Sequence, residues 1–246
     1  MLRSKLAPGA RCALEHGGVA PLFISADANM DAAVESVAKG GFYHAGQVCV
    51  SVQRVFAHAS IAKAFAQALA AKASQLVVGD PTDAKTEVGP LIRDVEVDRI
   101  DEWVNEAKAA GADILCGGNK LENQCYEPTV IFNPPGDVQV STAEVFGPVV
   151  CVYPYDDLTE AIDQANALPF AFQAAVFTSN LHVAQQVYQG VNASAVMIND
   201  HTAFRVDGMP FAGLRESGHG VGGMPFTIEE MQVEKMMVWN TNVSQS

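Results

Sequence analysis

Cationic side chains are scarce in this sequence: 15 Lys and Arg face 28 Asp and Glu, giving a formal net charge of -13. Phosphate neutralisation needs clustered Lys and Arg, so this balance excludes nucleic acid as a partner and argues against an anionic membrane surface. Long apolar runs are missing too. Charge or glycine interrupts each one, and none is long enough to span a bilayer. The basic first five residues lead to no apolar segment before Gly9 and Arg11, so nothing resembles a secretory leader. Cysteine is sparse: Cys12, Cys49, Cys116, Cys125 and Cys151 are odd in number and form no Cys-x-x-Cys pair. That pattern argues against a disulfide framework and a zinc ladder. Together these absences predict a soluble protein of the reducing cytoplasm. Internal repeats and low-complexity tracts are also absent.

What is present is rather apolar for a free monomer, with 49% hydrophobic residues and a mean hydropathy of +0.11. Surface that packs against another domain or subunit is the expectation. The pattern predicts a short helix over 31–39, then a Gly-rich loop over 40–49 and a strand over 51–57. A helix over 60–76 follows with Ser60 as its cap, then turn chemistry from Val78 to Asp83. The clearest helix covers 94–110, with Val97, Ile100, Trp103, Val104 and Ala107 at helical spacing and Gly111 as its stop. A short buried strand is predicted over 113–116. Strand, helix, strand, helix and strand are then predicted over 149–153, 158–167, 174–178, 181–190 and 195–198, with Asn180 as a helix cap. A Gly-rich loop covers 207–225, and a last strand covers 236–239. Such alternation predicts an α/β fold with a mainly parallel twisted sheet flanked by helices.

Three segments place a reactive side chain among residues that allow close backbone approach. They are Leu14-Glu15-His16-Gly17-Gly18, then Gly46-Gln47-Val48-Cys49, then Glu144-Val145-Phe146-Gly147-Pro148. Singly, each has a plain explanation. A free cysteine is most often inert core, a glutamate is most often a solvated charge, and Gly-Gly or Gly-Pro pairs are often simple turns.

In this order and together, the three resemble the aldehyde dehydrogenase superfamily. Further matches are Val78-Gly79-Asp80-Pro81, Gly89-Pro90-Leu91-Ile92, Tyr126-Glu127-Pro128-Thr129, Ile198-Asn199-Asp200, Met209-Pro210-Phe211 and Glu216-Ser217-Gly218. The resemblance runs from about Lys5 to Trp239. It implies NAD(P)-dependent oxidation of an aldehyde, with Cys49 as nucleophile and Glu15 as the base that activates water. That base needs apolar surroundings that raise its proton affinity. The backbone N–H of Cys49 would serve as one oxyanion donor. Glu144 would hold the nicotinamide ribose and Phe146 would pack beside the nicotinamide. Asn199 would shape the site floor. The cofactor is NAD or NADP, with the site incomplete in this chain, because Met1 stands only 14 residues before Glu15. The expected division is a remnant of the cofactor-binding domain over 1–14, the catalytic domain over 15–230 and an oligomerisation arm over 231–246. The expected partners are a second copy of the chain or a separate cofactor-binding half.

The run Gly218-His219-Gly220-Val221-Gly222-Gly223 fits Gly-x-Gly-x-x-Gly literally. A dinucleotide fingerprint needs a strand before it and a helix directly after, and a Pro-containing loop with Met224-Pro225 is expected instead. It reads as loop glycine. Arg205 could pair with the anionic group of a small aldehyde, or could be a structural arginine bonded to Asp207 or Asp200. His201 reads as a loop residue. His44 is not expected to pair with Cys49. Two competing readings stay open: a nucleotide-independent thiol esterase using Cys49 and Glu15, and a non-catalytic oligomerising remnant.

Overall fold

The computed structural model describes residues 3–241. Its strands are β1 (Leu14–Glu15), β2 (Pro21–Ile24), β3 (Arg54–His58), β4 (Asp113–Cys116), β5 (Thr129–Phe132) and β6 (Val149–Tyr155). They continue with β7 (Phe170–Ala171), β8 (Gln173–Phe177), β9 (Ala195–Ile198), β10 (Leu214–Arg215) and β11 (Gly218–His219). The helices are α1 (Met30–Phe42), α2 (Ala59–Ala73), α3 (Asp94–Ala109), α4 (Gln139–Thr142), α5 (Leu158–Asn166), α6 (Leu181–Gly190) and α7 (Met224–Glu230).

Seven strands form one sheet in the order β4-β5-β6-β3-β2-β8-β9, parallel except for β4 at its edge. The path from β2 through α1 to β3 runs one way across this sheet, and the path from β8 through α6 to β9 runs the other way. Right-handed crossovers in opposite directions put their helices on opposite faces. Accordingly α1 packs on α2, and α5 packs on α6. The expected α/β class is what the chain adopts.

The core is built on side chains from neighbouring strands. Phe23 of β2, Phe56 of β3 and Tyr153 of β6 stack in sequence, with ring centroids 5.3 and 5.4 Å apart. The guanidinium of buried Arg54 lies over Phe56 and Tyr153, 5.0 and 5.4 Å from their centroids. Such cation–π placement offsets part of the cost of burying its charge.

Several local expectations need correction. Ser60 is not the cap of α2: His58 takes that role, its ring Nδ1 accepting from the Ser60 N–H at 3.3 Å. The strand over 113–116 lies at the sheet edge, antiparallel and partly exposed, with Asp113 bonded to Lys63. Residues 236–239 form no strand; Met236, Met237, Val238 and Trp239 are 79–85% exposed, and a lone segment has no edge to pair with. Of the arm expected over 231–246, residues 242–246 lie outside the described residues, as do residues 1 and 2. No described helix is long and apolar enough to cross a membrane.

The stacked aromatic column yields a stability prediction. Phe56→Ala removes a fully buried ring flanked on both sides, and the expected loss is about 3–5 kcal/mol. Urea unfolding measures it, and a loss below about 1 kcal/mol would contradict the central place given to this column.

Candidate active site

Four segments meet because the strands they enter lie side by side. Glu15 precedes β2, Cys49 precedes β3, Glu144 to Phe146 precede β6, and Phe172 immediately precedes β8. These four strands are contiguous and parallel in the sheet, so their incoming chains gather at its amino edge. Glycines then let the segments touch. A Cβ on Gly46, whose φ is +68°, would run into the Gly147 carbonyl. A Cβ on Gly17 would run into the Glu144 carboxylate, and the Gly18 N–H donates to Glu144 Oε1 at 3.1 Å. Thus the Glu144 segment is in direct contact with both the Glu15 and the Cys49 segments.

Two glutamines and one arginine hold the loops. Gln47 donates to the Pro90 carbonyl at 3.2 Å and accepts from the Ile92 N–H at 2.9 Å, tying the cysteine loop to the 89–92 segment. Gln53 accepts from the Val145 N–H at 2.9 Å and donates to the Ala143 carbonyl at 2.7 Å. Arg99 of α3 donates to the Val145 carbonyl at 2.8 Å. Between these clamps Phe146 sits at φ +49° with 40% of its surface exposed. Strain of this kind costs about 1–3 kcal/mol and persists only where the surroundings fix it. His44 and Ala45, just before Gly46, are also left-handed, at φ 50° and 54°.

Cys49 is half-buried against a small apolar cluster of Val50, Phe172 and Phe211. Burial pushes its thiol above the ordinary cysteine range, and the carboxylates of Glu144 and Glu15 push it further. Its own backbone N–H and the Arg205 guanidinium pull the other way. Glu15, Glu144 and Arg205 therefore all act on one sulfur. Burial also raises the Glu144 carboxyl, against the Gly18 N–H and the Arg99 charge. Glu15 departs from expectation: it is exposed, not set in apolar surroundings. It lies on a two-stranded ribbon separate from the seven-stranded sheet, opposite Gly218.

Arg205 makes no ion pair with Asp207 or Asp200 among the described residues; its guanidinium lies 4.4 Å from the Phe211 ring centroid. Asn199 is committed to the scaffold. Its amide accepts from the Thr178 N–H at 2.9 Å and donates to the Thr178 carbonyl at 3.0 Å, closing the end of β8 onto β9. His201 packs against Gly40, and burial pushes its pKa below the ordinary histidine value against the pull of the Asp200 carboxylate. Exposed His44 has its ring beside Tyr43, 4.9 Å away, and makes no hydrogen bond to Cys49 among the described residues. The Gly218–Gly223 run pairs with β1 and bridges to Phe211. A helix does follow it directly, α7 with Pro225 in its first turn, contrary to the loop expected there. Arg11 helps to fix that helix by donating to the carbonyl of its last residue, Glu230, at 3.2 Å and to that of Gln232 just beyond it at 3.0 Å. Phe172 and the close approach of Gly17 to Glu144 escaped sequence reading, because nothing local marks an aromatic or a glycine as facing a distant loop.

The electrostatics fix the direction of pH effects. A thiol pKa raised by burial and two carboxylates means that alkylation by neutral iodoacetamide climbs with pH to a midpoint above that of free cysteine. Glu144→Gln and Glu15→Gln each lower that midpoint, and Arg205→Ala raises it. A midpoint that none of the three moves would contradict the proximity described above.

The chain matches the sequence profile of the aldehyde dehydrogenase family over residues 2–237. It is 39% identical over 240 residues to the 3-sulfolactaldehyde dehydrogenase of Priestia aryabhattai, covering 98% of this chain and 50% of that protein. The glyceraldehyde-3-phosphate dehydrogenase of Methanocaldococcus jannaschii, solved with NADP, superposes with a TM-score of 0.89 at 36% identity, over 94% of this chain and 50% of its own. Aldehyde dehydrogenase 21 of Physcomitrella patens, solved with its reaction product succinate, gives 0.91 at 32% identity, over 97% and 50%. The chain spans about half the length of the curated relatives it matches. With its three motifs in contact at one sheet edge and a profile match over nearly its whole length, this chain belongs to the aldehyde dehydrogenase family.

Proposed function

We propose that this chain carries the thiol half of an enzyme that oxidises a small anionic aldehyde to its acid with NAD or NADP. The observation that carries the proposal is the convergence on Cys49 of two carboxylates and an arginine with no ion pair among the described residues, beside an apolar wall. In this reading the Cys49 thiolate attacks the aldehyde carbon and forms a carbon–sulfur bond. The Cys49 N–H, which donates to no carbonyl among the described residues, stabilises the oxygen that becomes charged. Arg205, backed by Phe211, pairs with the anionic end of the substrate. Glu15, exposed in this chain rather than set in the apolar surroundings expected of it, then takes a proton from water as that water attacks the thioester, and Cys49 leaves as thiolate.

For the dinucleotide, the fit rests on two residues. One Glu144 oxygen accepts from Gly18, while the other has no hydrogen bond among the described residues and suits a ribose hydroxyl. Exposed Phe146 beside it suits a flat ring. When bound, the dinucleotide accepts hydride from the substrate carbon. The relatives named above act on sulfonate- or phosphate-bearing aldehydes or hold a dicarboxylate product, which supports Arg205 as an anion anchor. The exposed apolar tail from Met231 to Trp239 supports a homo-oligomer in which it pairs with a second copy. Five free cysteines support a reducing compartment. A nucleotide-independent esterase is the second reading, because Cys49 and Glu15 lie together in this chain.

Incubation with NAD or NADP and short aldehydes, neutral and anionic, tests the half-site reading by the absorbance of reduced nicotinamide. The expected result is no signal while Cys49 remains alkylatable. A signal abolished by Cys49→Ala would show a complete cofactor site and overturn that reading. For the substrate class, mono-p-nitrophenyl succinate is compared with p-nitrophenyl butyrate. Loss of a charged hydrogen bond is worth about 1.5–3 kcal/mol, so Arg205→Ala should lower kcat/KM roughly 10- to 100-fold for the succinate ester alone. Equal losses on both esters would remove Arg205 from substrate binding.

A further inference from the structure

We infer that Gly222 is a positioning residue: the space left by its missing side chain is the seat of the Glu15 carboxylate. The inference rests on Glu15 being the base. A Cβ on Gly222 would overlap Glu15 Oε1 and stand 3.5 Å from its Cδ. The Gly222 backbone does not require glycine, since its φ lies outside the left-handed range. Space, not conformation, is what this glycine supplies. Gly17 does the same beneath Glu144, so each acidic side chain acting on Cys49 rests over a glycine from another segment.

Gly222 is also fastened to the substrate wall. Its N–H donates to the Phe211 carbonyl at 2.7 Å, and the Phe211 N–H donates back at 3.0 Å. The Phe211 ring supports Arg205 and joins the cluster against which Cys49 packs. Carboxylate seat and apolar wall are thus two sides of one bridge. The step it serves is hydrolysis of the acylated cysteine. Water oxygen bonds to the acyl carbon, its proton passes to Glu15, and the carbon–sulfur bond breaks with the electron pair leaving on Cys49.

An added methyl would overlap only the far end of a flexible glutamate; it would also stand 3.2 Å from the Phe211 carbonyl oxygen, which need give by only a few tenths of an ångström, so Gly222→Ala should fold and chiefly displace the carboxylate. Pre-steady-state hydrolysis of p-nitrophenyl acetate separates the steps: the burst reports acylation of Cys49, and the steady state reports hydrolysis of the acyl thiol. Gly222→Ala should keep the melting temperature, the alkylation rate and the burst within about twofold. Its steady-state rate should fall about tenfold, a fraction of the 10²–10⁴ that a general base contributes. If the glycine acts through Glu15, the Glu15→Gln/Gly222→Ala double variant is no slower than Glu15→Gln alone. An unchanged steady state in Gly222→Ala, or additive losses in the double variant, overturns the seat. A Glu15→Gln variant with undiminished steady state overturns the base itself, and the seat's role with it.

Discussion

Parallel pairing between β3 and its neighbours is the constraint on which the site depends. Each of β2, β3, β6 and β8 enters the sheet from the same end, so the residue before each strand arrives at a common edge. In open α/β sheets ligands usually gather outside the carboxyl ends of the strands. Here the reactive residues gather at the amino ends. That edge is formed by loops that end, rather than begin, at strands, and such loops are anchored downstream by the core. Leu22, Phe23, Val55 and Phe56 are wholly buried a few residues after the segments they hold in place.

Contact at this edge is possible only where side chains are absent. Gly46 against Gly147, Gly17 beneath Glu144 and Gly222 beneath Glu15 are three such places, each between segments distant in sequence. The opposite device operates at Phe146, His44 and Ala45, where residues with side chains hold left-handed backbone beside the glycines. Rule-breaking of this sort is concentrated where proteins place chemistry, and the surrounding scaffold must over-determine it. Gln47, Gln53 and Arg99 do so through backbone contacts rather than through contacts with one another.

Much of the fold was legible because the signals were local. The helices α3, α5 and α6 carry apolar residues at helical spacing with caps or glycine stops, and each was found within a residue or two. β2 and β5 were not found, being four-residue strands without alternation, one of them opening on Pro21. A proline at the first strand position breaks the local pattern but suits a strand start. Likewise α7 hid behind glycines, since Gly223 and Pro225 read as a break although proline suits a helix start. At the site, the ordered motifs marked the three segments that the structure brings to one sheet edge, those bearing Glu15, Cys49 and Glu144. Exposure of Glu15 was not legible, because it depends on which segments cover its two-stranded ribbon.

The charge pattern around Cys49 carries the last consequence. Two carboxylates and burial oppose formation of the thiolate, and one guanidinium and one N–H favour it. An anionic substrate would add to the opposition if it approached the sulfur alone. Paired with Arg205, as proposed, it would bring a neutral pair instead, and the ring of Phe211 keeps that arginine near the cluster with no carboxylate ion-paired to it among the described residues. Had Arg205 been bonded to Asp207, as one reading of the sequence allowed, the same anion would have had to displace a bound charge before docking. The cation–π contact leaves the guanidinium edge available, so under the proposed reading a single aromatic side chain would link substrate choice to the reactivity of the thiol.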